Sequence, residues 1–260
     1  MDTVKVEREA EVWVVTLDRP DARNAVDGPT ARALVAAFEA FEADPVSRVA
    51  VLAGAGGHFC AGADLKTVAG DGDEPLALNE DLARPGPMGP TRMRLSKPVV
   101  AAVAGYCVAG GLELALWCDL RVADDTAMFG VFCRRWGVPL IDGGTVRLPR
   151  VVGQGRALDM ILTGRPVDAG EALAFGLANR LVPAGEARAE AVRLAAEIAR
   201  FPGLCMRADR ASALAQWQLP LEEALRAEAL GGVAPLRAGA REGAARFAGG
   251  LGRSGNFDEL

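Results

Sequence analysis

The sequence predicts an α/β core followed by a helical C-terminal part. Short apolar runs first alternate with stretches of helical spacing, and helical spacing alone then fills the remainder. Size agrees: with 260 residues, 50% of them hydrophobic, the chain can bury a full core as one large domain or a domain with an appendage.

Residues 3–8 and 11–18 read as a β-hairpin whose WVVTL run is buried. The loop DRPDARNAVD follows, and residues 29–43 have helical spacing. RVAVLAG (48–54) and KPVVAAVAG (97–105) read as short buried strands. Between them, residues 67–95 are rich in Gly, Pro and acidic residues and lack periodicity. A stretch of that kind inside a domain is a functional flap or a disordered segment. DLRVAD (119–124) and AMFGV (127–131) read as two further strands. Helical patterns follow at 143–150, 153–163, 171–175 and 185–200. From 203 to 250 the chain reads as helices interrupted at Pro220 and near Gly231–Pro235.

Residues 99–118 are almost wholly apolar and about as long as a membrane span. Gly105, Gly110, Gly111 and Glu113 interrupt that run, so a buried strand, a turn and a buried helix account for it better. The net charge is −5 and no Lys/Arg block occurs, which argues against a nucleic-acid or anionic-membrane surface. The opening MDTVKVEREAE is charged and reads without a secretory core. Five cysteines without CxxC spacing point to no zinc site or disulfide framework; a reducing, cytoplasmic location is the expectation. His58 is the sole histidine, so a multi-histidine metal site is excluded and a Ser-His-Asp triad could only use His58. Acid–base work near neutral pH falls largely to carboxylates, Lys, Tyr or Cys.

Two glycine-bearing segments carry the chemistry: HFCAGADLK (58–66) and AGYCVAGGLELALWCDL (104–120). Each follows a strand-like run and leads toward a helix. A backbone N–H at such a turn is free of any strand ladder, and the helix dipole behind it favours negative charge. Two turns of this kind facing each other make an oxyanion hole from main chain alone.

These segments, with LDRPDARNA (17–25), DGGTVRLPRVVG (142–153), LTGRPVDAGEALAFGLANRLVP (162–183) and EGAARF (242–247), resemble the enoyl-CoA hydratase/isomerase, or crotonase, family. Six motifs keep their order and spacing over nearly the whole chain. The resemblance implies a crotonase-like spiral of strand–strand–helix repeats over residues 1–200. It also implies a helical trimerisation region over 201–260, assembly as a homotrimer or dimer of trimers, and acyl-CoA thioester substrates. No cofactor beyond coenzyme A as part of the substrate is implied. It places the oxyanion-hole amides on Ala63 and Gly110 and one catalytic glutamate on Glu113. A carboxylate among Leu112, Leu114, Ala115 and Leu116 is expected to be desolvated, with its pKa raised into the acid–base range. The alternative is a buried glutamate paired with an arginine for stability.

The family's hydratases carry a second glutamate where this chain has Cys133. A thiol does not replace a carboxylic acid in delivering a proton; it reads as a small apolar filler, although Arg134 and Arg135 could lower its pKa. Asp142, in IDGGT, is the compensating candidate, since dienoyl-CoA isomerases of the family use an aspartate in a similar setting. Asp before a glycine pair is also a common helix cap and turn. Ala63, Asp64, Leu65 and Lys66 correspond to the family's thioester and pantetheine strip, with Lys66 available to a phosphate. Asp64 also suits hydrogen bonding to N–H groups of its own turn. Arg19 and Arg23 lie in the loop that resembles the adenine-binding edge, and each also reads as a solvated surface charge. Phe132 and Trp136 are candidates for the acyl pocket or for core. Phe247 resembles a family aromatic, but Gly250 replaces the basic residue usual beyond it. The rival readings are a CoA-binding scaffold without catalysis, suggested by Cys133, and RNA binding, which the acidic balance opposes. A nicotinamide or flavin enzyme is disfavoured because no GxGxxG follows the first strand.

Overall fold

The computed structural model describes residues 3–70, 76 and 78–252. Contacts divide the chain into two compact units, Met1–Ala195 and Ala196–Leu260.

In the first unit, β1 (Val4–Glu9) and β2 (Val12–Leu17) form the expected hairpin, and β2 is buried along its whole length. Helix α1 (Gly28–Ala43) starts where the Asp27 side chain accepts from the Thr30 N–H, and it buries Leu34, Phe38 and Phe41. Strand β3 (Val49–Gly54), the short helix α2 (Leu65–Ala69), strand β4 (Val99–Val103), strand β5 (Tyr106–Val108) and helix α3 (Gly110–Trp117) follow. Next come β6 (Leu120–Asp124), β7 (Met128–Gly130), α4 (Gly144–Val152), α5 (Gln154–Thr163), β8 (Val167–Asp168), α6 (Ala169–Phe175) and β9 (Arg180–Val182), and α7 (Ala187–Ala199) spans the boundary at Ala195.

Among the described residues the strands form two sheets. One has the order β1-β2-β3-β4-β6-β9 and is parallel beyond the first hairpin; the other has the order β5-β7-β8. The continuous apolar runs of β3 and β4 follow from burial on both faces of a parallel sheet. The membrane-length apolar run is β4, β5 and α3, all packed into the core, and no described helix is long and apolar enough to cross a membrane.

The sequence reading expects one strand leading into the Gly110 turn; the structure holds two. At Gly105 (φ +50°) the chain leaves the large sheet and enters β5 in the small one. A three-residue strand between two glycine-bearing bends has too few residues to display a period.

Part of the 67–95 stretch is well packed: Met88, Pro90 and Thr91 are buried, and Pro90–Arg92 forms a 3-10 turn. Residues 71–75 and 77 of that stretch lie outside the described residues.

The second unit contains α8 (Gly203–Ala215), α9 (Leu221–Pro235) and α10 (Arg241–Ala248). The interruption at Pro220 is present. The one expected near Gly231–Pro235 is not: α9 runs through Pro235, and a π turn over Leu236–Ala240 leads into α10. A wider turn beside a proline accommodates its ring and missing N–H without ending the helix. No residue of α8, α9 or α10 is buried, and Leu204, Leu221, Leu230, Leu236 and Phe247 are among their exposed apolar side chains.

Candidate active site

The two glycine-bearing segments lie side by side in parallel. Cys60 N–H donates to the Tyr106 carbonyl (2.8 Å), and Val108 N–H to the Cys60 carbonyl (3.1 Å). Because both run in the same direction, their following turns emerge at the same end, against one cavity. That cavity has a volume of about 1170 Å³ and is lined by Ala63, Gly110, Glu113, Cys133 and Asp142, among others.

The two turns present their amides differently. Val26 N–H donates to the Gly62 carbonyl and Asp64 N–H to the Val26 carbonyl, each at 2.8 Å. In a parallel bridge the intervening residue turns its own polar groups away, so the Ala63 N–H faces away from Val26. Gly110 is the first residue of α3, where an N–H has no intrahelical acceptor. The turns also touch: a Cβ placed on Gly62 (φ +98°) would lie 2.9 Å from the Gly110 nitrogen. Ala109, just before Gly110, holds φ +53° and ψ −124°, a conformation L residues rarely adopt.

Glu113 is buried on the next turn of α3. Its Oε1 accepts from the backbone N–H of Asp142 (2.9 Å) and of Gly144 (2.8 Å). Burial pushes the carboxyl up to about 7, with the nearby Asp142 charge adding to the rise while the two amides and Arg147 oppose it. Among the described residues Glu113 forms no ion pair with an arginine, in contrast to the arginine-paired alternative; its Oε1 is held by the two amides. Asp142 is buried too, but it does not cap α4. The N-cap is Gly143, and no side chain bonds there. Asp142 Oδ1 instead accepts from Met88 N–H (3.1 Å) and from the Thr91 hydroxyl. Burial raises its pKa as well, against those donors.

Cys133 is buried in the cavity wall. Burial and the neighbouring Glu113 raise its thiol pKa against the opposing Arg134, so the lowering that the arginine pair could have brought does not occur. Arg134 Nε donates to the Ile161 carbonyl, and Arg135 lies over Phe132 and Trp136. Phe132, Trp136, Leu65 and Arg23 do line the cavity, with the Arg23 guanidinium 5.0 Å from the Tyr106 ring centre.

Three residues expected at the coenzyme do not line this cavity. Asp64 and Lys66 do not line the cavity. Asp64 accepts from Lys66 N–H (3.1 Å) as the N-cap of α2 and pairs with Arg19 (3.0 Å). Arg19 also pairs with Asp27 (3.0 Å) and donates to the Ala25 carbonyl, so it is a structural tie and not a free adenine-edge charge. Lys66 is exposed on α2. His58 Nδ1 accepts from Tyr106 N–H (3.3 Å), which commits the ring to a turn and to no triad.

The residues that sequence reading missed are Met88, Thr91, Ala109, Tyr106 and Arg147. The turn-rich PGPMGP run at 85–90 is the one local signal that could have drawn attention to Met88.

The family model for enoyl-CoA hydratase/isomerase matches residues 7–248. The chain belongs to that family. Relatives of this hydratase/isomerase family member include enoyl-CoA hydratase EchA19 of Mycobacterium tuberculosis, 39% identical over 171 residues, 63% of this chain and 62% of that protein. A probable enoyl-CoA hydratase of Rhizobium meliloti is 41% identical over 168 residues, 65% of this chain and 64% of its own length. These alignments span less than two thirds of the relatives. A crystal structure of enoyl-CoA hydratase from Mycobacterium tuberculosis H37Rv superposes with a TM-score of 0.89 at 33% identity, covering 95% of this chain and 96% of that one. A probable enoyl-CoA hydratase/isomerase from Mycobacterium abscessus gives 0.85 at 36% identity, covering 95% and 96%. The α/β core with helical C-terminal part is thus the fold of this family.

Proposed function

We propose that this protein binds an acyl-CoA thioester and moves a proton at its α-carbon through an enolate. One observation carries the reading: a buried Glu113, with its carboxyl pushed up to about 7, shares a cavity wall with the amides of Ala63 and Gly110. The two N–H groups hold the thioester oxygen, which acidifies the α-carbon. Glu113, half-ionised near neutral pH, removes or returns the proton. Asp142 is the second acid/base. Two carboxyl groups in different hydrogen-bond surroundings can divide the roles of acid and base.

Proton relocation, shifting a double bond, is favoured over hydration because Cys133 keeps its proton near neutral pH. Hydration is the second reading, supported by the hydratase names of the relatives. Arg23 and Leu65, on the cavity wall, serve the coenzyme arm; Lys66 reaches a phosphate from outside it, and Asp64 acts by holding the strip in place. The substrate supplies the coenzyme, and no separate cofactor is called for.

Residues 201–260 act as the trimerisation region, in which copies of the chain cover the exposed leucines of α8 and α9. The location is cytoplasmic, and nucleic acid and membrane are not partners.

The test measures hydration of a short 2-enoyl-CoA and, separately, migration of a 3-enoyl double bond. Glu113→Gln is expected to lose roughly a thousandfold in whichever reaction the wild type performs. Equal activity of the two proteins rules out the assignment of Glu113. Acyl-CoA binding without turnover over a broad panel would favour the scaffold reading.

A further inference from the structure

Arg147 lies on α4 where two loops of the site meet. Its Nη1 donates to the Asp142 carbonyl (2.9 Å) and its Nη2 to the Thr91 carbonyl (2.6 Å). The Asp142–Gly144 loop supplies both amides on Glu113 Oε1. The Met88–Thr91 segment supplies both donors on Asp142 Oδ1, and the Met88 side chain packs on Gly110. A single planar guanidinium thus bridges the supports of both carboxyl groups.

The choice of acceptor matters. An arginine paired directly with Glu113 would hold its pKa low and remove it from the useful range. By bonding two carbonyls instead, Arg147 fixes the loops and leaves the carboxyl oxygens to the amides. Arginine suits this because its N–H donors are set in a rigid fork, whereas an ammonium is a point charge on a flexible stem.

We propose that Arg147 is a positioning residue for the reaction: by bridging the Asp142 and Thr91 carbonyls it holds the two loops that orient Glu113 and Asp142. The proposal rests on the reading of Glu113 as the acid/base. The charged and titratable groups near that carboxyl are Asp142, Arg147 and Cys133; Arg92 and Arg147 face Asp142. Removing the cation and slackening the two amide bonds both favour protonated Glu113, so both move its titration upward.

The experiment titrates the Glu113 carboxyl by carbon-13 NMR in glutamate-labelled protein, the resonance being assigned by its loss in Glu113→Gln. It is paired with kcat and KM for the 3-enoyl and 2-enoyl thioesters across pH. Arg147→Gln is expected to raise the midpoint by roughly half a unit or more and to lower kcat with KM little changed. Arg147→Lys is expected to raise the midpoint by less than Arg147→Gln, because the charge stays, but still to lower kcat, because the bridge is lost. An unchanged midpoint and kcat in Arg147→Gln overturns the proposal, as does a change in KM alone. If Arg147→Gln does not fold, full wild-type kcat in Arg147→Lys overturns it instead. Full turnover in Glu113→Gln would defeat only the parent reading, and the NMR midpoint would still decide the role of Arg147.

Discussion

The Ala63 turn and the Gly110 turn serve one cavity but are held by different forces. Gly110 opens α3, so its amide gains the helix dipole, and the chain reaches it through Ala109 at φ +53°. Ala63 is not among the residues at positive φ, and it is pinned by the Val26 bridge and by the Arg19 pairs to Asp27 and Asp64. One turn relies on a dipole and passes through a non-glycine residue at positive φ; the other relies on charge pairing and places a glycine, Gly62, at its positive-φ position. Two donors can thus be preorganised independently, and damage to one need not move the other.

The most severe way to break this arrangement is to wedge the turns apart. A Cβ on Gly111 would overlap the Cys60 carbonyl oxygen, a backbone atom that cannot swing aside. Gly111→Ala should destabilise by several kcal/mol, roughly 3 or more, in chemical denaturation. At Gly110 the same methyl meets the Met88 side chain, 2.5 Å from its sulfur. That neighbour can give, so Gly110→Ala should fold and lose activity. If both variants unfold alike, the contact between the turns is not what Gly111 is for.

Next in size is the pH dependence of the helix behind Gly110. The folded pKa of Glu113 is raised to about 7 from an ordinary value of 4.5. The stability linked to that shift is present below the unfolded pKa and is lost as pH rises through the folded one. Relative to Glu113→Gln, the wild type should therefore lose stability between about pH 4.5 and 7, by on the order of 3 kcal/mol. Thermal unfolding of the pair at pH 4, 6 and 8 checks the sign, and parallel curves would refute it. Activity has the opposite slope, rising as Glu113 ionises near pH 7.

On the other turn, Arg19→Gln leaves Asp64 and Asp27 without their cation. A cost of about 1–3 kcal/mol and a fall in kcat are expected. The Glu113 limb of the pH–rate profile should stay in place, because the Gly110 turn is separately supported. A shift of that limb would show that the turns are coupled.

The smallest effect tests the strain. Ala109→Gly removes a positive-φ penalty but adds chain entropy to the unfolded state, so stability should change by no more than about 1 kcal/mol, in the favourable direction. A clear loss of stability would mean that Ala109 contributes packing that outweighs its backbone cost.

Much of the fold was legible because it is written locally. The continuous apolar runs of β2, β3 and β4 mark strands at nearly the observed ends, and the helical spacing over 29–43 and 185–200 corresponds to helices Gly28–Ala43 and Ala187–Ala199. Glu113 among leucines announced a desolvated carboxyl. Strand β5 was not legible, being three residues between two bends, nor was the fate of Arg19, whose partners Asp27 and Asp64 lie in other elements. Asp142 looked as much like a cap as an acid, and only the structure shows that it caps nothing on α4 and accepts from Met88 and Thr91 instead.

The sequence by itself determined the alternation of elements, the two glycine-bearing turns and the family to which they belong. The expectation of a second glutamate at the position of Cys133 came from the resemblance alone. Tertiary structure decided which donors meet which carboxyl group, since Glu113 and Asp142 are 29 residues apart and Met88 and Asp142 are 54 apart. The physical reason is one of range. Periodicity and turn chemistry act over a few neighbouring residues, whereas these hydrogen bonds exist only after the sheets have brought distant loops together.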